Sequence, residues 1–152
     1  MIKEISGFSI MFEDPTIDRL DQTKGVLTFN NRNTGLNILG NHIDSQFETK
    51  NYYLLFVTEN IMEEHLRIYL LNREHEEVEC IEMFTMYSPA DAGLDSIKII
   101  SEDELIFSFQ NPVPWKLTIL AKPRKYLFAL SPYCITRRNK HLWNNIYMTV
   151  TH

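Results

Sequence analysis

Leu105-Ile106-Phe107-Ser108-Phe109-Gln110 and Trp115-Lys116-Leu117-Thr118-Ile119 decide the fold class. In both stretches the odd-numbered positions are apolar, a period of two that puts one face of an extended chain against a core and the other toward polar surroundings. Asn111-Pro112-Val113-Pro114 breaks the chain between them. Toward the N-terminus, Ser101-Glu102-Asp103-Glu104 sets off another short run, Ile97-Lys98-Ile99-Ile100; toward the C-terminus, Ala121-Lys122-Pro123-Arg124-Lys125 leads into Tyr126-Leu127-Phe128-Ala129-Leu130. Strand starts at roughly this spacing, about 8–12 residues, predict an antiparallel meander in the form of a sandwich, barrel or propeller-like sheet. Tyr147 to Thr151 suits a closing strand, although Leu142, Trp143, Ile146 and Tyr147 would also line one face of a helix.

Working outward, the middle of the chain gives three further strands: Tyr52 to Thr58, Leu66 to Leu71 and Val78 to Phe84. Asn72 to Glu77 holds no apolar residue, so a helical stripe would be broken there, and the last two strands read as a hairpin. The first third offers Phe8 to Phe12, Val26 to Asn30 and Leu36 to Leu39, with Asn30-Asn31-Arg32-Asn33-Thr34-Gly35 as a turn cluster. One or two short helices complete the expectation. Asp14-Pro15 opens one that would carry Asp14, Asp18 and Asp21 on a single face, and Ser88-Pro89-Ala90-Asp91-Ala92 has the signature of a capped turn.

The chain has 152 residues, 44% hydrophobic and 23% charged, which fits one β-rich domain over residues 1–152. A domain of that size buries about 68–70% of its unfolded surface, so a substantial core is expected. No apolar run reaches the ~18 residues of a membrane-spanning helix, and the N-terminal apolar stretch is too short and too soon followed by Glu13 and Asp14 for a secretory signal, so a cytoplasmic location is expected. There the two cysteines, Cys80 and Cys134, belong to no Cys-x-x-Cys pair and read as buried thiols.

No catalytic motif is present, and the chain reads as a non-enzyme without cofactor or metal. The five glycines, at 7, 25, 35, 40 and 93, are too widely spaced for a phosphate-cradling loop. His42, His65, His75, His141 and His152 never fall at the i, i+2 or i+4 spacing that presents two ligands to one metal. A pocket in which His65 faced a carboxylate would open an enzymatic reading.

What the sequence does show is an electrical division. Residues 1–104 hold 20 Asp and Glu against 8 Lys and Arg, whereas residues 105–152 hold no acid and 7 bases. The acids gather as Glu59, Glu63 and Glu64; Glu74, Glu76, Glu77, Glu79 and Glu82; and Glu102, Asp103 and Glu104. With His75 in the second group, and Tyr69 and Tyr87 as aromatic anchors, they form a surface that would attract a basic protein and speed its docking. The opposite end, Lys116, Lys122, Arg124, Lys125, Arg137, Arg138 and Lys140 among Trp115, Tyr126, Tyr133 and Trp143, supplies an alternative, a nucleic-acid-binding module. A third possibility is internal: strands from the two halves lie side by side and pair their charges across a sheet.

A small, acidic, motif-free β domain displaying Glu63/Glu64, Glu74-His75-Glu76-Glu77-Val78-Glu79 and Glu102-Asp103-Glu104 resembles, in type, the bacterial immunity proteins that neutralise toxins, including those of contact-dependent growth inhibition. The resemblance implies a cognate toxin domain, often a basic nuclease, whose active site is physically blocked. It assigns no family residue to any position here.

Overall fold

Tyr53, Leu54, Leu55, Phe56 and Val57 are consecutive and all buried, so this strand has an apolar neighbour on both faces rather than one. That observation organises the molecule. In the computed structural model, which describes residues 1–14, 16, 23–61, 63–84, 93–109, 113–125, 135–138 and 145–152 (of residues 60, 61, 63 and 64 only the backbone), the described residues form thirteen antiparallel strands. They are β1 (Lys3–Glu4), β2 (Phe8–Met11), β3 (Lys24–Phe29), β4 (Arg32–Leu39), β5 (His42–Glu48), β6 (Tyr53–Ile61), β7 (Glu63–Leu71), β8 (Glu77–Phe84), β9 (Leu94–Ile99), β10 (Glu104–Phe109), β11 (Trp115–Lys125), β12 (Ile135–Arg137) and β13 (Asn145–Thr151).

These make a central six-stranded sheet in the order β1-β5-β6-β7-β8-β12, a four-stranded sheet β13-β11-β10-β9 and a three-stranded sheet β2-β3-β4. The central sheet is covered on both sides. Leu54, Phe56, Leu66, Ile68, Leu70, Ile81 and Met83 pack against Leu105, Phe107, Leu117, Ile119, Met148 and Val150 of the four-stranded sheet. Their strand neighbours Tyr53, Leu55, Val57, Tyr69, Leu71 and Cys80 face the other way, onto Phe8, Ile10, Leu27 and Ile38 of the three-stranded sheet. Two covered faces turn an alternating pattern into a continuous apolar run, the reason β6 and β7 show no period of two.

The mostly β antiparallel fold is the one expected, in an open, layered form that does not close into a barrel. Several details differ or are decided. The turn cluster contracts to Asn30 and Asn31, both left-handed (φ 49° and 64°), and Arg32 to Gly35 join β4. Ala121 to Lys125 continues β11 rather than linking two strands; its pairing with β13 is irregular between Ile119 and Arg124, the stretch that contains Pro123. The end of the chain resolves as strand, since β13 contributes Ile146, Met148 and Val150 to the interior. β1 and β5 have no counterpart in the sequence reading. Among the described residues there is no helix; Thr16 hydrogen-bonds through both N–H and hydroxyl to Asp14, while Asp18, Asp21, the segment 88–92 and the strand read at 126–130 lie outside the described residues.

Candidate functional site

Part of the charge division of the sequence is settled inside the fold. β12, from the basic end, pairs with β8, from the acidic middle, with Arg137 opposite Ile81 and Thr136 opposite Glu82. Arg138 Nη1 then reaches Glu77 at 3.2 Å, and the Arg137 guanidinium clasps Glu79. Glu79 is buried on the face toward the four-stranded sheet. Its Oε2 accepts the backbone N–H groups of Tyr147 and Met148, each at 2.8 Å, while Arg137 Nη2 donates to the Met148 carbonyl at 2.8 Å. One ion pair thus ties two sheets along one seam. Burial pushes the Glu79 carboxyl above the ordinary carboxylate range, against the opposing pull of Arg137 and the two amides.

Glu82 shares Arg67 with Glu59, the Arg67 Nε–Glu82 distance being 3.3 Å. His65 Nδ1 lies 3.4 Å from the same guanidinium, and Glu59 stands opposite His65 across the β6–β7 ladder with its carboxylate on Arg67. Glu104 pairs with Lys116 at 3.1 Å. Five members of the expected acidic groups, Glu59, Glu77, Glu79, Glu82 and Glu104, are therefore neutralised by the protein's own cations.

The aromatic anchor is also corrected. Tyr69 is wholly buried, because β7 is an interior strand with both faces covered, and its hydroxyl exchanges hydrogen bonds with the N–H and carbonyl of Leu39 at 2.9 and 3.2 Å. His75 is no exposed tip residue: in left-handed backbone (φ 65°), it folds onto Phe8, Phe29 and Tyr53, stacked on the last at 5.4 Å. Glu74, Glu76, Glu102 and Asp103 are exposed. Glu63 and Glu64 open β7, with side chains outside the described residues, as is all of Tyr87.

Opposite the Glu79–Arg137 seam, the central and four-stranded sheets part. There β1 and β5 stand across from β9, and the gap forms a cleft of about 420 Å³. Glu4, Asp44 and Asp95 supply carboxylates from three separate strands, Ser45 and Ser96 hydroxyls, and Phe47, Leu94, Ile97 and Ile99 an apolar wall. Beyond β1 lies a second depression of about 520 Å³, lined in part by Lys50, Tyr52, Glu102, Asp103 and Ile119. Together the two linings hold five carboxylates and one lysine. Asp44 is the most constrained of these acids: Thr58 donates its hydroxyl at 2.7 Å, His42 Nε2 stands 3.8 Å away, and burial raises its carboxyl above the ordinary value.

No protein family, no curated protein and no solved structure matches this chain significantly. The site therefore has to be read from its own geometry. The sequence reading found Glu102 and Asp103 but not Glu4, Asp44 or Asp95, which are remote from one another along the chain and converge only through sheet packing. Glu79 did carry a signal, as a lone acid inside the apolar run Val78-Glu79-Cys80-Ile81.

Proposed function

We propose that the chain is a non-enzymatic binding protein for a basic protein partner, docking through the acid-lined side where β1, β5 and β9 meet. The cleft bearing Glu4, Asp44 and Asp95 beside an aliphatic wall carries this reading: it offers apolar contact and negative potential in one concave place, the combination that suits lysine and arginine side chains with their apolar stems. The specific form of the proposal is toxin neutralisation, with a basic toxin domain of nuclease type held at this side and its active site covered. Glu102 and Asp103 of the original acidic surface remain part of it. The hairpin acids Glu77, Glu79 and Glu82 drop out, being committed to Arg138, Arg137 and Arg67.

The nucleic-acid alternative loses three of its seven cations, Lys116, Arg137 and Arg138, to internal pairs, and Trp115 to the core. Capture on immobilised protein tests the main reading. The wild-type chain is expected to retain a basic protein from its host at low salt and release it as salt rises, while a chain carrying Glu4→Lys, Asp95→Lys and Glu102→Lys retains none. Equal retention by both chains defeats the proposal.

A further inference from the structure

Arg67 lies on the face of the central sheet that also carries Tyr69, two residues further along β7. Only 9% of its side chain is exposed, and each of its three side-chain nitrogens has an acceptor of its own. Nε donates to Glu82 Oε1 at 3.3 Å, Nη1 to Glu59 Oε2 at 2.5 Å, and Nη2 reaches His65 Nδ1 at 3.4 Å. The acceptors come from β8, β6 and β7 respectively. Register brings them together: Glu82 lies opposite Arg67, and Glu59 opposite His65.

The third contact fixes the state of the histidine. A guanidinium has donors only, so Nδ1 meets it with a lone pair, and the imidazole is then neutral with its proton on Nε2. Of the three acceptors, the imidazole is the side-chain type that gains a proton just below neutral pH. With that proton Nδ1 becomes a donor, and it faces a group of like charge. Another acceptor stands within reach. Directly opposite residues of an antiparallel ladder have Cβ atoms about 4.5–5.5 Å apart, and opposite His65 is Glu59, of which Arg67 engages Oε2 and leaves Oε1. On its other side β8 presents Phe84, an uncharged ring whose centroid lies 6.0 Å from that of His65. Among the described residues, the charged groups around His65 are therefore Arg67 and Glu59, with Glu82 beyond Arg67.

We infer that His65 is a proton-operated switch. Neutral, it completes the acceptor shell of Arg67; protonated, it turns to Glu59, ties the end of the β6–β7 hairpin across its two strands and leaves Arg67 Nη2 without its acceptor. The switch lies apart from the acid-lined cleft and does not depend on docking there.

Nitrogen-15 NMR of the full chain at about pH 7.5 and about pH 5 tests it. At the higher pH His65 is expected as the Nε2–H tautomer alone. At the lower pH rotation about the Arg67 Cζ–Nη2 bond should speed up by about tenfold, the effect of losing one hydrogen bond to a charged group. The new Nδ1 proton of His65 should then exchange about tenfold more slowly than that of a histidine in a short peptide, because Glu59 holds it. In a His65→Gln chain, which keeps an acceptor but has no group to titrate there, Arg67 should behave alike at both pH values.

An Nδ1–H tautomer at the higher pH overturns the switch, as does an Arg67 rotation rate that is the same at both pH values or that changes equally in the His65→Gln chain. An Nδ1 proton exchanging as fast as in the peptide overturns the turn toward Glu59. Should His65→Gln fail to fold, the tautomer and the two rates in the wild-type chain decide.

Discussion

At the scale of single residues, Arg137 and Tyr69 decide most. Removing the Arg137 guanidinium leaves the Glu79 carboxylate buried with only two backbone donors, so Arg137→Met is expected to destabilise by about 3–5 kcal/mol in urea unfolding. The loss should depend on pH, and the sign follows from burial. A carboxyl whose folded pKa lies above its unfolded value binds its proton more readily in the folded state, so stability falls as pH rises through that window. Without Arg137 the Glu79 carboxyl shifts further in the same direction, so the variant should lose more at pH near 7 than at pH near 5. Adding Glu79→Gln to that variant is expected to restore part of the loss, measured as a coupling energy. Tyr69→Phe withdraws a partner from Leu39 and should cost about 1 kcal/mol. Beside Tyr69, burial holds the Cys80 thiol far above its ordinary pKa; in a Cys134→Ser chain a thiol reagent should leave Cys80 untouched until the fold is opened.

Among the elements, strands were legible wherever one or both faces carry a clear apolar code. β10 and the start of β11 alternate because one face meets the central sheet and the other does not, while β6, β7 and β8 stand out by apolar density. β5 escaped because His42-Ile43-Asp44-Ser45-Gln46-Phe47-Glu48 sits next to the sheet edge and needs few apolar residues. β1 escaped because two residues cannot show a period. The β3–β4 hairpin was half legible: the asparagine cluster marked the turn, but which two residues close it depends on the left-handed conformations of Asn30 and Asn31. Asn31→Val, which forces a branched side chain into that region, is expected to lower stability by about 1–2 kcal/mol, whereas Asn31→Gly should change it by less than about 0.5 kcal/mol, both read from thermal melts.

For the whole molecule, the distribution of charge changes meaning on folding. Arg137 and Arg138 lie 58 and 61 residues along the chain from the glutamates they hold, and the long-range β8–β12 pairing brings each within reach. The acids left over define the open side. Glu4→Lys, Asp95→Lys and Glu102→Lys concern exposed residues, so the triple variant should unfold within about 0.5 kcal/mol of wild type per substitution while its partner association slows, the wild-type rate itself falling as salt rises. Stopped-flow mixing at two ionic strengths measures this. By itself the sequence determined the antiparallel β class, the positions of most strands and the division of charge, because each follows from side-chain period and composition over a few neighbouring residues. The three-layer arrangement, the seam closed by Glu79 and Arg137 and the cleft opposite it were decided only by the tertiary structure. The physical reason is that strand order, and with it the partner each charge meets, depends on which sheets cover the central one, and no local window of residues encodes that.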